Sequence, residues 1–254
     1  MTKTLKNLFW SAFIVGSFIF LNPLTAFGYD LVDNDNDGLN DVEEIYIYHT
    51  AINLADSDSD GFDDGDEIEN GYSPLNAEEV KLVDLDTDKD YLNDAWEIKI
   101  GTDLLNPDTD GDTYLDGTEV AAGYDPLSAD PNIIEKNIQV SLAEQSLAYY
   151  FGDKLLEKFL ISSGVASMPT PVGEFEILDK VPSKNYGGTG YNFYYPNTKW
   201  NLHFTTKYLR YYIHGAYWHN NFGKPMSHGC VNVSYDNMER LYWFTQVGTK
   251  VKIF

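Results

Sequence analysis

Cysteine is almost absent from this 254-residue chain. Cys230 stands alone, so no intramolecular disulfide can hold the fold. A lone thiol is a buried small hydrophobe, half of an intermolecular disulfide or a nucleophile, and the count does not choose among them. Basic residues are scarce in one stretch: residues 29–132 carry 31 Asp or Glu against three Lys, a net of −28. That imbalance argues against nucleic acid as a partner. An apolar run of membrane-spanning length is missing near the start. "LFWSAFIVGSFIFL", residues 8–21, has 14 residues, short of the ~20 a bilayer needs. HExxH and CxxC are absent too, which places zinc second among the readings of His214, His219, His228 and Cys230.

What is present begins with a leader. Lys3 and Lys6 precede the apolar run, Pro23 follows it, and "AFG" closes the segment. This is the layout of a secretory signal peptide over residues 1–28, cleaved after Gly28. No Cys lies there for a lipid anchor. The expected protein is exported to the periplasm or cell envelope, with no transmembrane segment left after cleavage. The remainder divides by charge. Residues 133–254 carry nine acids against 12 Lys or Arg, a net of +3, so two domains are expected, 29–132 and 133–254.

The acidic part repeats one template four times: "DNDNDGLNDVEE", "DSDSDGFDDGDE", "DTDKDYLNDAWE" and "DTDGDTYLDGTE". Each has Asp at positions 1, 3, 5 and 9 and Glu at position 12. The candidate metal ligands are Asp33, Asp35, Asp37, Asp41 and Glu44; Asp56, Asp58, Asp60, Asp64 and Glu67; Asp86, Asp88, Asp90, Asp94 and Glu97; Asp108, Asp110, Asp112, Asp116 and Glu119. A hard cation such as Ca2+ takes six to eight oxygens, and alternate residues of a tight loop point inward to supply them. An acidic disordered tract would not keep five carboxylates in register four times. Gly38 and Gly61 occupy position 6, where the turn is sharp. Tyr91 and Thr113 replace them in the third and fourth loops, which are expected to be distorted or weaker. A short helix is expected from position 9 of each loop, ended by Gly as in "EIENGYSPLN".

From Asn137 the pattern turns to β structure. "NIQVSLAEQSLAYYF" predicts a hairpin, and "KLLEKFLISSG", "TPVGEFEILDK", "WNLHF", "RYYIHGAYW" and "KVKIF" predict further strands. One helix is expected from a cap at Ser234 to Gly248. "PSKNYGGTGYNFYYPN", residues 182–197, is expected to be a long lid or binding loop.

In "SHGC", Gly229 would permit a tight turn that exposes Cys230, and its backbone N–H could meet a substrate oxygen. His214, 16 residues upstream at a strand end, could fold back on the sulfur. An imidazolium there would bring the thiol from about 8.5 into the 3.5–7.5 range. His219 and His203 have no motif around them and read as surface or core-edge residues.

Two resemblances follow from these motifs. Residues 30–130 resemble thrombospondin type 3 repeats of bacterial envelope proteins, which implies a stack whose core is largely bound calcium. "IQVSLAEQSLAYYF", "SSGVASMPTPVGEFEI", "IHG" and "SHGCVN" are similar, in order, to segments of the L,D-transpeptidase (YkuD-type) catalytic domain. That resemblance implies a mainly β catalytic domain, a YkuD-type mixed β-sandwich with one helix, behind an N-terminal tandem calcium-loop and short-helix module. It implies Cys230 as nucleophile and His214 as base, with Ser227, His228 and Gly229 shaping the site. The amides of Gly229 and Cys230 would form an oxyanion hole. Asn232, where many members have Arg, and Gly215 would contact substrate; Thr170, Pro171 and Gly173 would only support the cleft. The implied partners are peptidoglycan stem peptides, and other envelope proteins through the acidic module. Catalysis would need no cofactor and calcium would be structural. A carboxypeptidase, a protein-to-wall ligase and a calcium-dependent adhesion protein with a non-catalytic wall-binding domain are the alternatives.

Overall fold

The computed structural model describes residues 32–189, 193–205 and 210–254. The expected signal peptide lies outside them. Among the described residues no helix is long and apolar enough to cross a membrane.

Each acidic loop feeds a short helix that begins at its ninth position: α1 (Asp41–Glu43), α2 (Asp64–Asn70), α3 (Asp94–Ile100) and α4 (Asp116–Ala122). The first continues as a wider turn over Glu44–Tyr48. Gly71, Gly101 and Gly123 end the other three in the left-handed conformation, where a side chain would be strained.

The second half is two sheets. One has the order β3-β2-β1-β9-β4, built from β1 (Lys136–Ser141), β2 (Ser146–Phe151), β3 (Lys154–Leu160), β4 (Gly173–Glu176) and β9 (Lys250–Ile253). The other has the order β5-β6-β7-β8, from β5 (Asp179–Gly187), β6 (Tyr194–His203), β7 (Tyr212–Gly215) and β8 (Val231–Val233). Two pairs are parallel, β1 with β9 and β7 with β8. The alternation Ile138, Val140 on β1 and Leu147, Tyr149 on β2 buries one face of the hairpin. Helix α5 (Tyr235–Phe244) packs Met238, Leu241 and Phe244 into the same core.

Three expectations change. The helix stops at Phe244, before Gly248, because Lys180 donates to the Tyr242 and Thr245 carbonyls and Lys136 to the Phe244 carbonyl. Such cations satisfy the last carbonyls and favour the negative end of the helix. Most of residues 182–197 is not a structureless loop. β5 runs to Gly187 and β6 starts at Tyr194, leaving a short tip within which residues 190–192 lie outside the description. And the repeats do not rest on ion loops alone. Leu92, Trp96, Ile100 and Val120 belong to one apolar cluster with the sandwich.

Trp96 is the centre of that junction. It is 1% exposed and packs against Tyr149, Trp243 and Phe244 at 5.7–5.9 Å between ring centres. Its indole N–H donates to Glu157, which also accepts from Tyr149 and from two nitrogens of Arg240. Lys136 adds a second tie, since its buried ammonium donates to Ala121 at the end of α4 and to Phe244 at the end of α5.

Candidate active site and acidic loops

In each loop one carboxylate oxygen from positions 1, 3 and 5 lies within 4.8 Å of the others. The second oxygens of Glu44, Glu67, Glu97 and Glu119 are buried without a hydrogen-bond partner, as is at least one oxygen of Asp35, Asp58, Asp88 and Asp110. Buried carboxylate oxygens left unpaired are costly unless a cation meets them. Burial first, then repulsion from neighbouring loop carboxylates, pushes Glu44, Glu67 and Glu119 up to about 7 and Glu97 to about 9. This donor set fits calcium.

The ninth positions differ from expectation. Asp41, Asp64, Asp94 and Asp116 each accept two hydrogen bonds from the second loop residue, through its backbone N–H and its side chain, at 2.5–3.1 Å. Those carboxylates close the loop onto its helix instead of joining their own cluster. Asp64 does meet Asp37 and Glu44 of the preceding loop. The third and fourth loops are not distorted. Tyr91 and Thr113 take φ of 80° and 85°, and their amides reach the first-position Asp as those of Gly38 and Gly61 do. The strain of a left-handed side chain is carried, but the shape is kept.

The thiol lies at the entry to β8. The parallel register Ile213↔Val231 and His214↔Asn232, extended back by one residue, sets Cys230 beside Tyr212. Side chains alternate along a strand, so Tyr212, His214, Cys230 and Asn232 share one face. His214 and Cys230 are diagonal neighbours there, within reach of long side chains. His214 Nδ1 lies 2.9 Å from the Gly215 carbonyl. A carbonyl only accepts, so Nδ1 carries the proton and Nε2 is the base. Tyr186 stacks on this imidazole at 4.4 Å, with Trp218 at 5.8 Å.

The electrostatics reverse the expected ion pair. Burial pushes His214 down to about 4, opposed by the Gly215 carbonyl and helped by the neighbouring His219. Burial pushes Cys230 up to about 11, although the Tyr212 amide and the Lys184 ammonium oppose it. At neutral pH both groups are therefore neutral, because desolvation outweighs the nearby charges.

Ser227 staples the loop: its hydroxyl donates to the Cys230 carbonyl and accepts the Gly229 N–H. The Gly229 amide is thus committed. Gly229 has φ of 110°, and a Cβ there would lie 2.2 Å from the Tyr211 ring, so only glycine fits. Gly215 is also constrained, since a Cβ would meet the Tyr235 ring at 2.4 Å. It fixes His214 from within a buried strand and presents no side chain. His228 is exposed and stacks on Phe193 at 4.7 Å. Asn232, 3% exposed, meets His219 Nε2 at 3.1 Å, which places the half-buried His219 at the core edge beside the site.

Of the other supports, the sequence had marked Thr170. Ser162 and Asn232 exchange backbone hydrogen bonds, and the Met226 and Ser227 amides both reach the Ser163 carbonyl. Gln145 binds Ser163 through both ends of its amide, and Thr170 Oγ1 accepts from Gly164. Gln145, Ser162 and Ser163 were marked only by the Ser-Ser-Gly string and the hairpin.

The sequence profile of the L,D-transpeptidase catalytic domain (YkuD) matches residues 135–253. That of the bacterial TSP3 repeat matches residues 33–50 and 108–129. A Bacillus licheniformis protein named as a YkuD-type L,D-transpeptidase is 30% identical over 124 residues, 49% of this chain and 68% of that one. A Bacillus subtilis protein of the same name is 27% identical, covering 49% and 69%. An L,D-transpeptidase structure from Mycobacterium smegmatis is 24% identical, with a TM-score of 0.44 over 48% of this chain and 59% of that one. The chain spans about two thirds of the length of those curated relatives, and less of that solved protein.

Proposed function

The chain belongs to the L,D-transpeptidase family with a YkuD-type catalytic domain, and from that premise we propose that it is an exported cysteine transpeptidase acting on peptidoglycan. Its catalytic part would be residues 133–254, behind a calcium-stabilised module at 29–132. The observation that carries this reading is His214 with Nδ1 committed to the Gly215 carbonyl, on the same sheet face as Cys230.

Since thiol and imidazole rest neutral, reaction begins with proton transfer. Nε2 of His214 takes the thiol proton as Sγ attacks the carbonyl at the L-configured centre of the donor tetrapeptide. With the Gly229 amide held by Ser227, the developing oxyanion falls to the Cys230 amide. Collapse breaks the peptide bond. The imidazolium returns its proton to the departing D-alanine amine and leaves a thioester on Cys230. A side-chain amine of a second stem, deprotonated by His214, then displaces the sulfur to form a 3→3 cross-link. Water in that step makes the enzyme a carboxypeptidase, and a protein lysine makes it a wall-attaching ligase.

In the acidic module, Asp at positions 1, 3 and 5 and Glu at position 12 would hold Ca2+. Bound there, the ion would neutralise crowded carboxylates and make the loops rigid, and no catalytic step passes through it.

The test is incubation of the protein with purified disaccharide-tetrapeptide, followed by mass spectrometry beside Cys230→Ala. A cross-linked dimer with loss of D-alanine, absent in the variant, is expected. Tripeptide alone would indicate the carboxypeptidase. The absence of any Cys230-dependent product would favour a calcium-dependent adhesion protein with a wall-binding domain.

A further inference from the structure

Beside the thiol stands a cation that the steps above do not use. Lys184 lies on β5 two residues before Tyr186, and although the pairing with β6 shifts register between them, both meet the same Tyr212 ring. Its Nζ is 5.7 Å from the centre of the Tyr186 ring, which stacks on His214, and 5.3 Å from the centre of the Tyr212 ring, next to Cys230. Its charge is felt at the sulfur and at His203.

Among the described residues this ammonium has no carboxylate partner. The ion pairs of the catalytic half are Lys158 with Glu144, Arg240 with Glu157 and Lys250 with Glu176. Two other lysines, Lys136 and Lys180, end on backbone carbonyls instead. Lys184 is half-buried over two aromatic faces, and ring faces alone compensate a cation only partly. An unpaired ammonium beside a nucleophile is a place for an anion.

We propose that Lys184 binds the free terminal carboxylate of the donor stem, the carboxylate of the residue that leaves. This deepens the transpeptidase reading and rests on it for the identity of the donor. When the scissile carbonyl meets Sγ, the carboxylate of the leaving residue sits one residue further along the peptide. Its distance from the sulfur is therefore set by the substrate, and the Tyr186–Tyr212 floor presents a positive charge in that neighbourhood. Donors that end one residue past the scissile bond gain a charge-assisted hydrogen bond, while amidated or longer donors do not. Lys184 is thus a residue that selects tetrapeptide donors.

The test separates recognition from reaction. Tetrapeptide and its C-terminal amide are titrated by NMR into Cys230→Ala, which cannot turn over, and into the same protein carrying Lys184→Met or Lys184→Arg. Circular dichroism checks that each variant is folded. A charged hydrogen bond predicts about 10–100-fold tighter binding of the acid than of the amide. Lys184→Met should erase that preference while leaving the amide's affinity within about twofold, a change in the ratio that general loss of structure would not produce. Lys184→Arg should keep most of it. Equal binding of acid and amide, equal weakening of both by Lys184→Met, or no binding of either peptide would overturn the proposal. Turnover by the unmodified protein is read separately. An acid preference that depends on Lys184, without any Cys230 product, would overturn the transpeptidase reading and leave the carboxylate site standing.

Discussion

Replacing Trp96 by alanine should detach the acidic loops from the catalytic half. The indole is 1% exposed and touches Tyr149, Trp243 and Phe244, so its removal leaves a cavity bounded by both halves. Truncating a buried aromatic to alanine costs about 3–5 kcal/mol. For a chain of this size each kcal/mol moves Tm by about 2–4 °C, so a fall of about 6–20 °C is expected. Trp96→Phe keeps a six-membered ring in the site but loses the fused pyrrole and its N–H to Glu157, whose carboxylate still holds Tyr149 and Arg240, and should cost about 1.5–3 kcal/mol. Trp96 directly precedes Glu97, whose second oxygen is buried and unpaired in the third loop. Filling that loop should therefore support the docked helix. At 100 times Kd, calcium should add about 2.7 kcal/mol to any unit that binds it only when folded. Scanning calorimetry with calcium and with chelator measures both effects. In the unmodified protein calcium should raise the melting of the catalytic half. In Trp96→Ala that rise should vanish, while melting of the loops still responds. An unchanged Tm in Trp96→Ala, or an undiminished calcium shift of the catalytic half, would refute the reasoning.

Five other outcomes are expected. With His214 lowered to about 4 and Cys230 raised to about 11, acylation by a carbapenem should lose its acid limb near pH 4 rather than 6.5, and alkylation by iodoacetamide should climb about tenfold per pH unit past pH 9. The unfolded chain protonates His214 first, near pH 6.5, so its contribution to stability is complete above that pH and declines as pH falls towards 4, visible in urea midpoints. Gly229→Ala should abolish carbapenem adducts, checked by intact mass, because its Cβ would enter the Tyr211 ring. Gly117→Ala should lower calcium affinity in calorimetric titration, since its Cβ would lie 2.6 Å from the Asp90 carbonyl oxygen in the third loop.

The sequence made the local chemistry legible wherever a short spacing dictates it. The 1-3-5 carboxylates cluster because alternate residues of one tight loop must converge, and the hairpin at residues 136–151 follows from alternation in the first strand, the turn at Glu144 and Gln145, and the apolar run that follows. The sheet order was not legible. β9 pairs in parallel with β1 from across the chain, and no local pattern records such a pairing. Nor was the state of the thiol. A His 16 residues upstream suggests an ion pair, but desolvation by the surrounding rings decides the charge, and those rings come from β5, β7 and the turn after it. Lys184 and Trp96 stayed hidden for the same reason, because one falls in a stretch that reads as a loop and the other in a short helix, until distant strands meet them.

The same enclosure that holds the thiol neutral also governs its survival. Peroxide attacks the thiolate, so sulfenic acid forms in proportion to the ionised fraction. A thiol raised to about 11 offers very little of that form at neutral pH. With no second cysteine to form a reducible disulfide, the proton that Cys230 keeps until His214 takes it during attack on a donor should also slow its oxidation.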